Sequence, residues 1–185
     1  MDTCRVGTRL HTILMTSAEL IVAGMLLFTP AHAAQPADGS VECLALNMYH
    51  EARGQGTAGL LGVTAVVFNR VKDKRYPSTI CEVIEQGPTR ESWKKNGEFF
   101  PIRHRCQFSW YCDGRSDIPK EIEVYSKFLR IARAMIDKNI PFIDITDGAL
   151  FYHADYVTPG WAKTKKRTTR IGNHIFYRWD IGTKF

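Results

Sequence analysis

Apolar side chains recur at Val41, Leu44, Ala45, Met48, Tyr49 and Ala52, spaced as one face of an α-helix. The spacing predicts a helix over 41–53, with Ser40 as its N-cap and Gly54 as its stop. A second helix begins near Thr57 and carries Leu60, Val63, Thr64, Val67 and Val71. Leu61, Ala65 and Phe68 fill its other side, so it is expected to be the central, buried helix. A short third helix starts at Pro77-Ser78 and runs through Ile80, Val83 and Ile84. A fourth follows Pro119 and places Ile122, Tyr125, Leu129, Ala132 and Ile136 on one face. Between them, residues 86–116 are rich in glycine, proline and aromatics, and an irregular segment of that length calls for a functional explanation. Near the C-terminus, 148–153 and 171–177 read as two short strands joined by a basic loop, 163–170. The pattern predicts an α+β domain: a helical body carrying a small C-terminal antiparallel sheet.

The first forty residues follow a different pattern. Arg5, Arg9 and His11 precede an apolar run, Leu20 to Phe28, and then the small-residue site Ala31-His32-Ala33. This is the layout of a secretory signal peptide, expected over 1–33. The run is nine residues long, where a membrane-spanning helix needs about 20. No cysteine follows it as a lipid anchor would require, and no Arg-Arg pair suggests twin-arginine export. Residues 34–40 form a polar linker, which leaves one domain, 41–185, in an exported protein located in the periplasm or secreted. No stable membrane insertion is expected after cleavage.

Export changes what the cysteines mean. The five cysteines are an odd set, but cleavage removes Cys4 and leaves Cys43, Cys81, Cys106 and Cys112. In an oxidising compartment an even set favours disulfides. Cys106 and Cys112 are six apart around an aromatic loop, so they are expected to pair with each other, and Cys43 with Cys81. No C-x-x-C or H-x₃₋₅-H spacing supports zinc, and neither a metal nor a cofactor is expected.

At 185 residues, 44% hydrophobic and 24% charged, the chain can bury a core. Disorder, collagen, coiled coil and a multi-span membrane protein are excluded. The net charge of +6 survives cleavage, because Arg5 and Arg9 leave with Asp2 and Glu19. It suggests an anionic partner, and export makes an acidic wall polymer a better candidate than nucleic acid. Lys163, Lys165, Lys166, Arg167 and Arg170 in the basic loop would supply the attraction.

Glu51 is the foremost candidate for chemistry. It lies one turn after Met48 at the carbonyl end of its helix, where the dipole and partial burial both raise a carboxyl pKa. A general acid needs that shift. The alternative is a solvated Glu51 paired with Arg53 or a downstream lysine. His50-Glu51 does not open a zinc-protease motif, because H-E-x-x-H would need a histidine where Gly54 stands. No G-x-S-x-G surrounds Ser109, and paired cysteines leave no thiol nucleophile. The loop Cys106-Gln-Phe-Ser-Trp-Tyr-Cys-Asp-Gly114 combines amides, hydroxyls and aromatic faces, a composition that suits a glycan groove. The alternative for Phe108 and Trp110 is a core position.

Several blocks together resemble the cell-wall hydrolases of the spore-cortex-lytic (SleB-like) type. They are Glu51-Ala-Arg-Gly54, Gly62 to Val71, Tyr76-Pro-Ser-Thr-Ile80, Cys106-Gln-Phe-Ser-Trp110 with Asp113-Gly114, Asp147-Gly-Ala149 before Tyr152-His153, Pro159-Gly-Trp161, and Ile171 to Tyr177. The resemblance implies a lysozyme-like α+β domain that cleaves the β-1,4 bond between N-acetylmuramic acid and N-acetylglucosamine in peptidoglycan. It places the catalytic glutamate at Glu51. Gln107, Ser109, Trp110, Asp113, Tyr152, His153, His174 and Tyr177 are the candidate substrate-binding residues. The chain departs from the E-A-R-G-E motif at its last position, Gln55, which removes a nearby carboxylate. That favours a lytic transglycosylase working with one glutamate. Hydrolysis would need a second carboxylate, for which Asp113 and then Asp155 are the candidates. A silent peptidoglycan-binding protein with the same groove is the remaining alternative.

Overall fold

The computed structural model describes residues 39–137 and 142–179; the expected signal peptide and most of the linker lie outside the described residues. The first apolar stripe forms α1 (Ser40–Ala52), and all six of its apolar positions are buried. Ser40 is the first helical residue and not the cap: Gly39 holds the N-cap position at φ 70°, a left-handed conformation that glycine adopts without strain. At the other end Ala52 is the last helical residue and Arg53 the C-cap, so the helix stops at Gly54 as expected, although the left-handed residue is Gly56. The chain enters α2 (Gly56–Lys72) directly.

Helix α2 is buried along most of its length, as its apolar circumference requires. Gly62 is one point of close approach. A Cβ there would meet the Phe176 ring at 2.7 Å, so the small sheet can lie against α2 only over a glycine. Helix α3 (Ile80–Glu85) starts at Thr79, whose hydroxyl accepts from the Glu82 amide, somewhat later than Pro77-Ser78 suggested. Helix α4 (Ile122–Ile136) packs against α1 and buries Phe128, Ala132 and Met135. Ile122 is 61% exposed: it is the first residue of the helix and points about 120° away from Phe128.

Residues 86–116 contain a hairpin of β1 (Thr89–Glu91) and β2 (Phe99–Pro101), then a 3₁₀ turn at Ser109–Cys112. The C-terminal sheet has three strands instead of two: β3 (Phe151–Ala154), β4 (Lys166–Ile171) and β5 (His174–Arg178), antiparallel in the order β3-β5-β4. The expected basic loop is therefore largely an edge strand. Thr168, Thr169 and Ile171 are β-branched and favour extension, while outward cations are a usual guard on an exposed edge. Cys43 is bonded to Cys81, tying α1 to α3, and Cys106 to Cys112, closing the loop that carries Gln107 to Tyr111. Among the described residues no helix is long and apolar enough to cross a membrane.

Candidate active site

Glu51 stands in the last turn of α1, above the buried Asn47 and Met48. Arg53, the partner that the alternative reading gave to Glu51, is engaged elsewhere: it pairs with Glu121 at 2.9 Å and lies over the Tyr49 ring. Tyr49 in turn bonds to Glu121, which fastens the start of α4 to α1. Glu51 is left to accept a hydrogen bond from the Tyr152 hydroxyl at 2.8 Å. Burial raises the Glu51 pKa from its ordinary value, and the Tyr152 bond offsets this only in part. Burial and the adjacent Glu51 push the Tyr152 phenol well above its ordinary value, so it remains a donor. The result is a carboxyl whose neutral form burial favours and whose position Tyr152 fixes.

The two side chains open into a cleft of about 340 Å³. Gln107 and Ser109, both exposed, form one wall with Cys106, and Phe151 and Trp161 form another. Arg70 of α2 closes the remaining side. Its Nε donates to the Leu150 carbonyl at 2.8 Å, and its guanidinium lies 5.4 Å from the ring centres of Tyr76 and Phe108. Burial lowers its pKa, while Tyr76 and Tyr152 act the other way. Among the described residues, Glu51 is the one carboxylate lining this cleft. Asp155 is paired with Arg170 at 2.5 Å. Asp113 accepts from the Arg115 amide at 2.7 Å and does not line the cleft.

The remaining sequence candidates separate by depth. Gln107, Ser109 and Tyr152 line the cleft. Trp110 is turned into the core, where Nε1 donates to Asn47 and the ring stacks on His50 at 4.6 Å. It fills the space under the loop instead of facing a ligand. His153 and Tyr177 are buried and bonded to each other at 3.0 Å, behind Trp161. Strand alternation turns His153 away from the face that Tyr152 presents. His174 is buried edge-on against Tyr152, and burial lowers its pKa below the usual histidine value. These residues support the cleft. Sequence reasoning missed Phe151, Trp161 and Arg70 as cleft residues. Arg70 did leave a trace, a lone cation on the buried stripe with Val63 and Val67.

Residues 54–177 match the cell wall hydrolase family, and the chain belongs to it; the matched segment begins three residues after Glu51. The spore cortex-lytic enzyme of Halalkalibacterium halodurans is 27% identical over 140 residues, covering 75% of this chain and 34% of that protein. The Bacillus subtilis spore cortex-lytic enzyme is 26% identical over 140 residues, with 75% and 37% covered. The chain thus spans little more than a third of the length of these relatives. The catalytic domain of the germination-specific lytic transglycosylase SleB from Bacillus anthracis superimposes with a TM-score of 0.51 at 27% identity, covering 76% of this chain and 95% of that domain. The fold is lysozyme-like α+β.

Proposed function

We propose that the protein is an exported peptidoglycan-cleaving glycosidase, a lytic transglycosylase that works with Glu51 alone. The observation that carries this reading is the lone raised carboxyl in a cleft of amide, hydroxyl and aromatic side chains. The SleB neighbour's description as a lytic transglycosylase supports it. Protonated Glu51 donates to the oxygen joining N-acetylmuramic acid to N-acetylglucosamine, and the C1–O bond breaks through an oxocarbenium-like centre. The muramic 6-hydroxyl then attacks C1 while Glu51, now ionised, takes its proton. The product is a 1,6-anhydro sugar, no water is consumed, and Glu51 ends protonated as it began. Gln107 and Ser109 offer hydrogen bonds, and Phe151 and Trp161 offer faces for sugar C–H groups.

Digestion of purified sacculi by the full-length chain, with mass spectrometry of the released muropeptides, tests the chemistry. Anhydro ends are the expected result. Reducing ends would replace this mechanism with hydrolysis, and no release would end the enzymatic reading. Tyr152→Phe supplies a second prediction. Its hydroxyl favours ionised Glu51, so removing it lets the carboxyl pKa rise further. The alkaline limb of the kcat/KM profile, where the acid loses its proton, is expected to move to higher pH. An unmoved limb would show that the bond does not tune Glu51.

A further inference from the structure

We propose that the β1–β2 hairpin is a second binding surface for the glycan strand, an arm that holds the polymer beyond the cleft; this rests on the reading of the cleft as a peptidoglycan-cleaving site. The hairpin is rooted in the cleft wall. The Gln107 amide donates to the Gln86 carbonyl at 2.8 Å, and Gln107 itself lines the cleft. Gly87, at the base of the first strand, lies so close to Cys106 that a Cβ would meet the cysteine Cα and Sγ at 3.0 Å. From this root the pairing continues through Ile102 with Pro88 to Ser92 with Glu98, a ladder of about 14 Å.

The arm exposes what such a polymer can use. Trp93 is 89% exposed, Phe99 63% and Phe100 48%. Register places Phe99 opposite Glu91 and Phe100 opposite Arg90, so the two phenylalanines stand on opposite faces. Two three-residue strands with an uncovered aromatic on each face are marginal in water by themselves, and a ligand covering them would stabilise the hairpin. Aromatic faces suit sugar rings, and Arg90 and Lys94, both exposed, suit the carboxylates of peptide stems. An anionic bilayer would also attract aromatics and cations. The same hairpin, however, carries Glu91, which accepts from Gly97, and Glu98, which pairs with Lys95 at 3.3 Å. These carboxylates oppose either anionic surface alike, so the root in the cleft wall, beside a strand held in the cleft, decides for the glycan strand.

The test compares full-length Glu51→Gln, chosen so that the polymer is not cut during the measurement, with the same chain also carrying Trp93→Ser, Phe99→Ser and Phe100→Ser. Both are measured for retention on insoluble sacculi and on vesicles containing anionic phospholipid, with circular dichroism melts to check folding. Removing three stacking faces is expected to weaken sacculus binding about tenfold or more at an unchanged melting temperature. Equal sacculus binding by the two chains would overturn the arm and leave the cleft reading intact. A loss confined to vesicle binding would overturn it in favour of a membrane contact. No sacculus binding by Glu51→Gln itself would overturn both readings. Should the triple variant unfold, Trp93→Ser alone, at the exposed turn, carries the same comparison.

Discussion

Glu51→Gln is expected to lower cleavage of sacculi by about 10²–10⁴-fold and to raise the melting temperature at neutral pH. The first effect follows from removing the one carboxylate that lines the cleft among the described residues. Glutamine keeps the shape and can still accept from Tyr152, so binding should outlast catalysis. The second effect follows from burial. At pH below the range where a free glutamate titrates, the carboxyl is neutral in both folded and unfolded chains, and burial carries no ionic penalty. As pH rises through the higher folded-state pKa, the folded protein must ionise a group that burial keeps from water, and stability is lost. Glutamine has no such loss. The variant should therefore melt higher than wild type at pH 7, and the difference should vanish in acid. Calorimetric melts across pH, run beside muropeptide release, check both halves. A variant that melts lower at neutral pH would mean that Glu51 ionised is a stabilising group, contrary to a carboxyl held for proton donation.

The helix that carries that carboxyl and the helix after it could be read from periodicity because each has to bury a stripe. Val41 to Ala52 and the apolar circumference of α2 state their own geometry. Glu51 could be singled out for the same reason, as an acid at the edge of a buried stripe. What the chain did not disclose locally are contacts between distant segments. Tyr152 reaches Glu51 across 101 positions. No pattern near Trp110 separates a ring that anchors on Asn47 from one that faces sugar. The charges of Lys166, Arg167 and Arg170 masked strand β4, since pairing with the central β5, and not local composition, holds it extended. Arg70 was hidden by its neighbours: a cation in an apolar helix acquires meaning only when Leu150 and the rings of Tyr76 and Phe108 surround it.

Breaking the Cys43–Cys81 bond is expected to cost more stability than breaking Cys106–Cys112, and to do so without the same damage to the cleft. The first bond closes a separation of 38 residues that includes all of α2, and the second closes 6. On chain-entropy grounds these loops correspond to about 4 and about 2 kcal/mol of restricted unfolded state. For a domain of this size about 4 kcal/mol lowers the melting temperature by roughly 10–15 °C. Cys43 also packs against the main core, so the bond holds α3 where Val83 and Ile84 are buried. Cys106, in contrast, is a wall of the cleft, and its bond shapes the loop that presents Gln107 and Ser109. Cys43→Ala with Cys81→Ala should melt far below wild type yet cleave sacculi at near-normal rate at temperatures where it is folded. Cys106→Ser with Cys112→Ser should melt closer to wild type and lose more activity. Melts paired with cleavage rates on the two double variants decide the matter. If the 106–112 variant proved the less stable of the two, the short loop would have to contribute native-state packing that outweighs the longer loop's entropy. If both kept full activity, the shorter bond would have no part in shaping the cleft.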